Sequence, residues 1–97
     1  MQKRLEAVVE GRVQGVSFRY YTQQKAMELG VKGWARNESD GTVRTVAEGE
    51  EATLESFLEF LNVGSPYAKV ASVEVEWKEA TGELEGFRAP GSTGRPE

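Results

Sequence analysis

Apolar residues near the amino terminus recur at every second position. From Leu5 to Val13 they alternate with charged residues, and a spacing of two is typical of a β-strand with one buried face. After residues 14–17 the spacing changes to three or four, which is typical of an amphipathic α-helix. The positions with this spacing are Phe18, Thr22, Ala26 and Leu29. We expect the helix to begin after Ser17, a candidate N-cap, and to end at Gly30.

The next part of the chain has the pattern of two strands joined by a turn. Residues 31–37 form the first strand and residues 42–48 form the second. Between them, Asp40 and Gly41 make a dipeptide that favours a tight hairpin turn. The two strands are therefore predicted to be antiparallel neighbours in one sheet.

A second amphipathic helix is predicted between Gly49 and the region of Gly64. Its apolar stripe consists of Leu54, Phe57, Leu58 and Leu61. After a break at Ser65 and Pro66, apolar and polar residues alternate over residues 72–77, which predicts a half-buried strand. A short last strand is expected at residues 85–89.

The predicted order of elements is strand, helix, strand, strand, helix, strand. This order is typical of an α+β fold of the ferredoxin-like type, a βαββαβ sandwich with two helices on one face of a four-stranded antiparallel sheet. A chain of 97 residues is long enough for one such domain but not for two hydrophobic cores. We expect this domain to cover residues 1–89. Residues 90–97 lack apolar side chains apart from proline and are expected to form a flexible polar tail.

The composition excludes several kinds of chemistry. The sequence contains no Cys and no His, so disulfides, thiol or imidazole nucleophiles, histidine general bases and zinc sites built from these side chains are impossible. Asp40 is the only aspartate, which leaves a metal site made of glutamates open but makes aspartyl-phosphate chemistry hard to build. An enzyme with this composition would work by positioning and fixed charge.

The net charge of −4 is distributed unevenly along the chain. Residues 1–49 carry eight Lys and Arg against six Asp and Glu, whereas residues 50–97 carry four against ten. This balance argues against a broad nucleic-acid surface but allows one small anion in the basic half. No apolar run approaches the roughly 20 residues of a membrane span, and no secretory signal follows the first residues. We expect a cytoplasmic monomer without nucleic-acid or membrane partners.

The connection between the first strand and the first helix is one candidate site. Gly15 tolerates backbone conformations that other residues resist, so successive backbone N–H groups can converge on one anion. Arg19 lies in the first turn of the helix, where the helix dipole disfavours a cation unless an anion lies between them. Its planar guanidinium can bind two oxygens of a phosphoryl group. The alternative is a surface arginine beside an ordinary turn.

Asn37, at the end of the second predicted strand, is the other candidate. Its carboxamide can accept a hydrogen bond from water and donate one to a phosphoryl oxygen, and so orient a nucleophile without ionising. The alternative is that Asn37 only caps or shapes the hairpin that follows it.

Together these two segments resemble the two signatures of the acylphosphatase family. The first segment is Val9-x-Gly11-x-Val13-Gln14-Gly15-Val16-x-Phe18-Arg19. The second is Gly33-Trp34-Ala35-Arg36-Asn37, followed at the family's spacing by Gly41, Val43 and Gly49. The resemblance extends over about residues 4–88. It ends where Pro90 stops the last strand earlier than is usual in the family.

The resemblance implies a function for these residues. The family hydrolyses the carboxyl-phosphate anhydride of small acyl phosphates to a carboxylate and inorganic phosphate, without a metal or organic cofactor. Arg19 would bind the phosphoryl group and Asn37 would orient the attacking water. The phosphoryl oxygens would be held by the backbone N–H groups of Gln14, Gly15, Val16, Ser17 and Phe18. A carboxylate leaving group has a low pKa, so the absence of a histidine general acid is no obstacle.

Two functions of other kinds fit the same fold. One is a non-catalytic module that binds a small anion, or that handles carbamoyl phosphate for a partner enzyme. The other is RNA binding, since residues 32–35 resemble the opening of an RNA-recognition signature. However, Arg36 stands where that signature needs a stacking aromatic residue.

Overall fold

The computed structural model describes residues 1–90, within which the chain forms five strands and two helices. These are β1 (Gln2–Arg12), α1 (Phe18–Leu29), β2 (Lys32–Asn37), β3 (Val43–Glu50), α2 (Glu51–Leu61), β4 (Lys69–Glu79) and β5 (Phe87–Arg88). The predicted elements are present in the predicted order, with ends shifted by a few residues. The expected flexible tail lies outside the described residues, apart from Pro90.

The strands form one sheet in the order β4-β1-β3-β2-β5. The four long strands pair antiparallel, and β2 and β3 form the predicted hairpin, with Asn37 opposite Val43. The ferredoxin-like prediction is therefore confirmed, with one small difference. After β4 the chain crosses to the opposite edge of the sheet, where β5 pairs with β2 in parallel and Gly33 lies opposite Phe87. The short last strand thus adds a fifth member to the expected four.

The core lies between the helices and one face of the sheet. Leu5, Ala7 and Val9 of β1 are at most 1% exposed, as their alternation predicts. The helical stripes cover them, because Phe18, Thr22 and Ala26 of α1 are buried together with Leu54, Phe57 and Leu61 of α2. Gly30 ends α1 in the left-handed conformation, with its N–H directed at the carbonyls of Ala26 and Met27. Neither helix in residues 1–90 is both long and apolar enough to cross a membrane.

Strand β4 is more exposed than the predicted half-buried strand. Val75 and Trp77 lie on the same face as the core residues of β1, yet they are 37% and 42% exposed. The reason is topological, because in the described residues β4 forms an edge of the sheet and pairs with β1 alone. Alternation along a strand predicts which side chains share a face but not how far the helices cover that face.

The other face of the sheet carries a network of charges. Arg4 donates to Glu6 at 2.8 Å and to Glu48 at 2.9 Å, and Arg44 and Lys78 each approach Glu6 at 3.1 Å. Glu6 accepts these bonds in its charged form, so the guanidinium of Arg4 and the ammonium of Lys78 hold the pKa of Glu6 below its ordinary value. The acidic and basic side chains of this network thus pair with one another across β4, β1 and β3.

Glu48 in this network also fastens the connection that follows β4. It is 5% exposed and accepts hydrogen bonds from the backbone N–H groups of Thr81 and Gly82, each at 3.0 Å, and from the Thr81 hydroxyl. Burial by itself raises the pKa of Glu48, but the N–H of Thr81 and the guanidinium of Arg4 outweigh burial and hold the pKa below its ordinary value. Glu48 thus guides the chain across the sheet towards β5.

Candidate active site

The two segments singled out in the sequence meet at one end of the sheet. Strands β1 and β2 both pair antiparallel with β3, so they run in the same direction and finish at the same end. Val9, Val43 and Asn37 form one row across these strands. Side chains in such a row lie on one face, so Asn37 shares the helix-covered face with two fully buried valines. Helix α1 begins at this same end, directly after the loop that follows β1.

The loop between β1 and α1, residues 13–17, has the backbone shape of an anion-binding nest. Gly15 and Ser17 both adopt the left-handed conformation, with φ of 73° and 60°, and a single residue separates them. Within residues 1–90, the backbone N–H groups of residues 14–18 donate no hydrogen bond to a protein acceptor. Left-handed residues at this spacing turn successive N–H groups towards the same side. Backbone N–H groups arranged in this way at the amino end of a helix are suited to bind phosphate and other small anions.

Ser17 occupies the predicted N-cap position but does not cap the helix with its side chain. Its φ of 60° lies in the left-handed region, which is uncommon for a residue other than glycine, and its hydroxyl makes no cap hydrogen bond. The hydroxyl oxygen is also buried without a partner in the described part of the chain. Both features are unfavourable for stability, so the conformation of Ser17 is one that the surrounding structure imposes.

Two contacts from the segment after α2 hold this loop in place. The buried hydroxyl of Ser65 donates to the carbonyl of Val16 at 2.6 Å. Gly64 packs directly on Phe18, and a Cβ at Gly64 would lie only 2.7 Å from that ring. The sequence predicts only a chain break at Ser65, because no local signal connects it to a loop 49 residues away.

Arg19 is the second residue of α1 and is 7% exposed. No acidic residue lies in the first turn of the helix to offset its charge. One guanidinium nitrogen donates to the carbonyl of Pro90. Because α1 begins at the end of the sheet where β1 and β2 finish, Arg19 lies at the same end of the sheet as Asn37.

Asn37 presents an unsatisfied acceptor at this place. Its side-chain oxygen is buried and has no hydrogen-bond partner among residues 1–90. The side chains on either side of Asn37, Arg36 and Glu38, lie on the charged face of the sheet. There the Arg36 guanidinium stacks 4.9 Å from the centre of the Trp34 ring and its Nε donates to Glu38 at 3.0 Å. A buried acceptor of this kind is rare in folded proteins, where most buried polar atoms are paired. It is the arrangement expected of a side chain that awaits a donor from water or a ligand.

The side chain of Gln14 joins the loop to the hairpin. Its amide nitrogen donates to the carbonyl of Glu38 at 2.8 Å and to the carbonyl of Thr42 at 2.9 Å. These two residues face each other at the base of the hairpin, where the Glu38 N–H also donates to the Thr42 carbonyl at 2.8 Å. A carboxamide nitrogen has two hydrogens, so both are used. The sequence suggests a role only for the backbone N–H of Gln14, and not for its side chain.

The hairpin itself is closed by its predicted turn. Asp40 accepts from the backbone N–H of Thr42 at 3.0 Å and from its hydroxyl at 2.7 Å, and these bonds hold the pKa of Asp40 below its ordinary value. Residues 1–90 contain no group of three or more acidic side chains placed to hold a metal ion. The polar groups that the described residues bring to this end of the sheet are the backbone N–H groups of the loop, the guanidinium of Arg19 and the carboxamides of Gln14 and Asn37.

Several known proteins that are similar to this chain in sequence are described as acylphosphatases. Residues 5–89 match the family described as Acylphosphatase. The chain is 52% identical over 84 residues to an acylphosphatase of Thermus thermophilus, covering 87% of this chain and 94% of the relative. It is 49% identical over 87 residues to an acylphosphatase of Salinibacter ruber, covering 90% and 92%. The crystal structure of acylphosphatase from Bacillus subtilis superposes with a TM-score of 0.87 at 38% identity, covering 90% of this chain and 97% of that one.

Proposed function

The chain belongs to the acylphosphatase family, hydrolases that act on small acyl phosphates, and we propose that the loop of residues 14–18, Arg19 and Asn37 form its catalytic site. The backbone N–H groups of the loop bind the phosphoryl oxygens, and the Arg19 guanidinium binds two of them as a planar fork. These donors are fixed before the substrate arrives, so they stabilise the charge of the transferring phosphoryl group without reorganisation.

Asn37 orients the nucleophile in this proposal. Its buried side-chain oxygen accepts a hydrogen bond from a water molecule, while its amide nitrogen donates to a phosphoryl oxygen. The water attacks phosphorus opposite the acyl oxygen, the bond from phosphorus to that oxygen breaks, and the carboxylate leaves with the bonding electrons. Phosphoryl transfer has a loose transition state in most descriptions, so positioning and charge carry most of the catalysis. A carboxylate of low pKa needs no proton from a general acid.

One observation carries the proposal: the Asn37 side-chain oxygen and the backbone N–H groups of the loop lie at the same end of the sheet, and neither finds a partner among residues 1–90. A buried oxygen or N–H group without a partner lowers the stability of the protein when no ligand is bound. A phosphoryl group with its attacking water supplies partners for both at once.

The first test is hydrolysis of benzoyl phosphate by the purified protein in the presence of a metal chelator. We expect activity with the chelator present, because none of the proposed groups is a metal ligand. An Arg19→Gln variant should lose about 10³-fold or more in kcat/KM, which is typical for removal of an arginine from a phosphoryl-transfer site. Arg36→Gln is the matched control, since Arg36 lies on the charged face, and its activity should stay close to that of the parent. Parent protein with no activity above background would contradict the proposal.

We also propose that the enzyme acts as a monomer in the cytoplasm. A site built from one loop, one helix and one hairpin of the same chain needs no residue from a second copy. Light scattering after gel filtration should give the mass of a single chain, and fractionation of cells should recover the activity in the cytosolic fraction. A dimer mass, or activity that follows the membranes, would contradict this part of the proposal.

A further inference from the structure

We propose that Gln14 is a positioning residue that holds the Asn37 hairpin against the phosphate-binding loop. The inference rests on the proposed function of Asn37 and extends it. Asn37 is the last residue of β2, directly before the hairpin connection, residues 38–42. The hairpin and its pairing with β3 position the Asn37 side chain. An additional bond between the hairpin and the loop therefore controls the distance between the water and the phosphoryl group.

The two bonds of Gln14 have the geometry that this role requires. The amide nitrogen lies 2.8 Å from the Glu38 carbonyl and 2.9 Å from the Thr42 carbonyl, so one nitrogen holds both strands at the base of the hairpin. Residue 14 itself begins the stretch of loop, residues 14–18, whose N–H groups donate no hydrogen bond to an acceptor in residues 1–90. The side chain of Gln14 is thus a bridge between the groups that bind the phosphoryl oxygens and the group that places the water.

This role differs from direct binding of phosphate. Both hydrogens of the Gln14 amide nitrogen are engaged by the hairpin carbonyls, so its donors are not available to an anion. The backbone N–H groups of the loop do not depend on these bonds. Loss of the bridge should therefore displace Asn37 and lower kcat, while the affinity for inorganic phosphate stays nearly the same. A displacement of about 1 Å can lower an enzymatic rate by about 10²-fold.

Gln14→Met tests the inference, because methionine keeps the length of the side chain without donors or charge. With benzoyl phosphate as substrate we expect kcat to fall about 10- to 100-fold. The inhibition constant of inorganic phosphate should change by less than about threefold, because the backbone N–H groups of the loop still bind the anion. Gln24→Met, an exposed position on α1, is the matched control and should leave both constants unchanged. Gln14→Asn keeps the amide but is one methylene too short for the bridge, so it should reproduce the loss if Gln14→Met folds poorly.

A double variant separates this inference from the proposed function. If Gln14 acts through Asn37, then Gln14→Met should have almost no further effect on kcat in an Asn37→Ala background. Independent, multiplicative losses would overturn the positioning role, as would unchanged kcat in both Gln14 variants or a large rise in the inhibition constant of phosphate. If Asn37→Ala alone leaves kcat unchanged, the proposed function of Asn37 fails, and the bridge loses the role assigned to it.

Discussion

The two ends of the sheet treat their polar groups in opposite ways. On the charged face, both side-chain oxygens of Glu48 have partners, since Arg4, Thr81 and Gly82 all donate to this one buried carboxylate. Around Asn37 and Ser17, buried side-chain oxygens have no partner among residues 1–90. Stability favours the first arrangement and disfavours the second. The Glu48 region therefore stabilises the fold, whereas the Asn37 region carries a cost in stability that the proposed function explains by substrate binding.

We call the end of the sheet with Asn37 and Ser17 the unsatisfied end and the end with Glu48 the satisfied end. Replacing Asn37 is the strongest test of the unsatisfied end. In Asn37→Ala the buried acceptor is removed, so the folded protein should be no less stable, while kcat should fall by about 10²- to 10³-fold. KM should change little, because the loop and Arg19 still bind the phosphoryl group. Steady-state kinetics with benzoyl phosphate, together with thermal unfolding, measure both effects.

Asn62→Ala is the control for this change. Asn62 is exposed and its amide only donates to the carbonyl of Leu58 at the end of α2. Its replacement should lower the stability slightly and leave kcat unchanged. If Asn37→Ala lowered stability and spared kcat, Asn37 would be a structural residue of the hairpin, and the contrast between the two ends would fail.

The satisfied end predicts the opposite result for Glu48→Gln. The lost charge-assisted hydrogen bonds should lower the free energy of unfolding at pH 7 by about 1–3 kcal/mol. The effect on kcat should be small, because Glu48 lies five residues along β3 from Val43, a distance of about 16 Å. Thermal unfolding and kinetics at 25 °C check both statements.

The same variant has a defined pH dependence. Because the pKa of Glu48 is lowered in the folded state, its contribution to stability is present above the unfolded pKa of about 4.3 and is lost as the pH falls below it. Between about pH 5 and pH 3, the melting temperature of the parent should therefore fall more steeply with decreasing pH than the melting temperature of Glu48→Gln. Glu76→Gln, at an exposed position of β4, should keep the steep dependence of the parent. Equal slopes for Glu48→Gln and the parent would contradict the pKa assignment.

The satisfied and unsatisfied ends also differ in how far the sequence predicts them. Periodicity placed the strands and helices because side chains such as Leu5 and Phe57 follow the geometry of their own element. The two signatures pointed to Arg19 and Asn37, and the structure brings both to one end of the sheet, although their catalytic roles stay predictions. The bridge from Gln14 and the bond from Ser65 to Val16 join residues 24 to 49 positions apart, so no local pattern could reveal them. The parallel pairing of β5 is likewise non-local, because it depends on the connection after β4, which Glu48 binds through Thr81 and Gly82.

The smallest expected effect concerns Ser17, where the backbone and the hydroxyl can be separated. Ser17→Gly removes both the strain of a left-handed serine and the unpaired hydroxyl, so the free energy of unfolding should rise by up to about 1 kcal/mol despite the greater chain entropy of glycine. Ser17→Ala removes only the hydroxyl and should stabilise less. Because both variants retain the N–H group, kcat/KM should fall far less than in Asn37→Ala. A loss as large as that of Asn37→Ala in both would mean that the hydroxyl itself binds the phosphoryl group, and the unsatisfied end would then hold two functional side-chain oxygens instead of one.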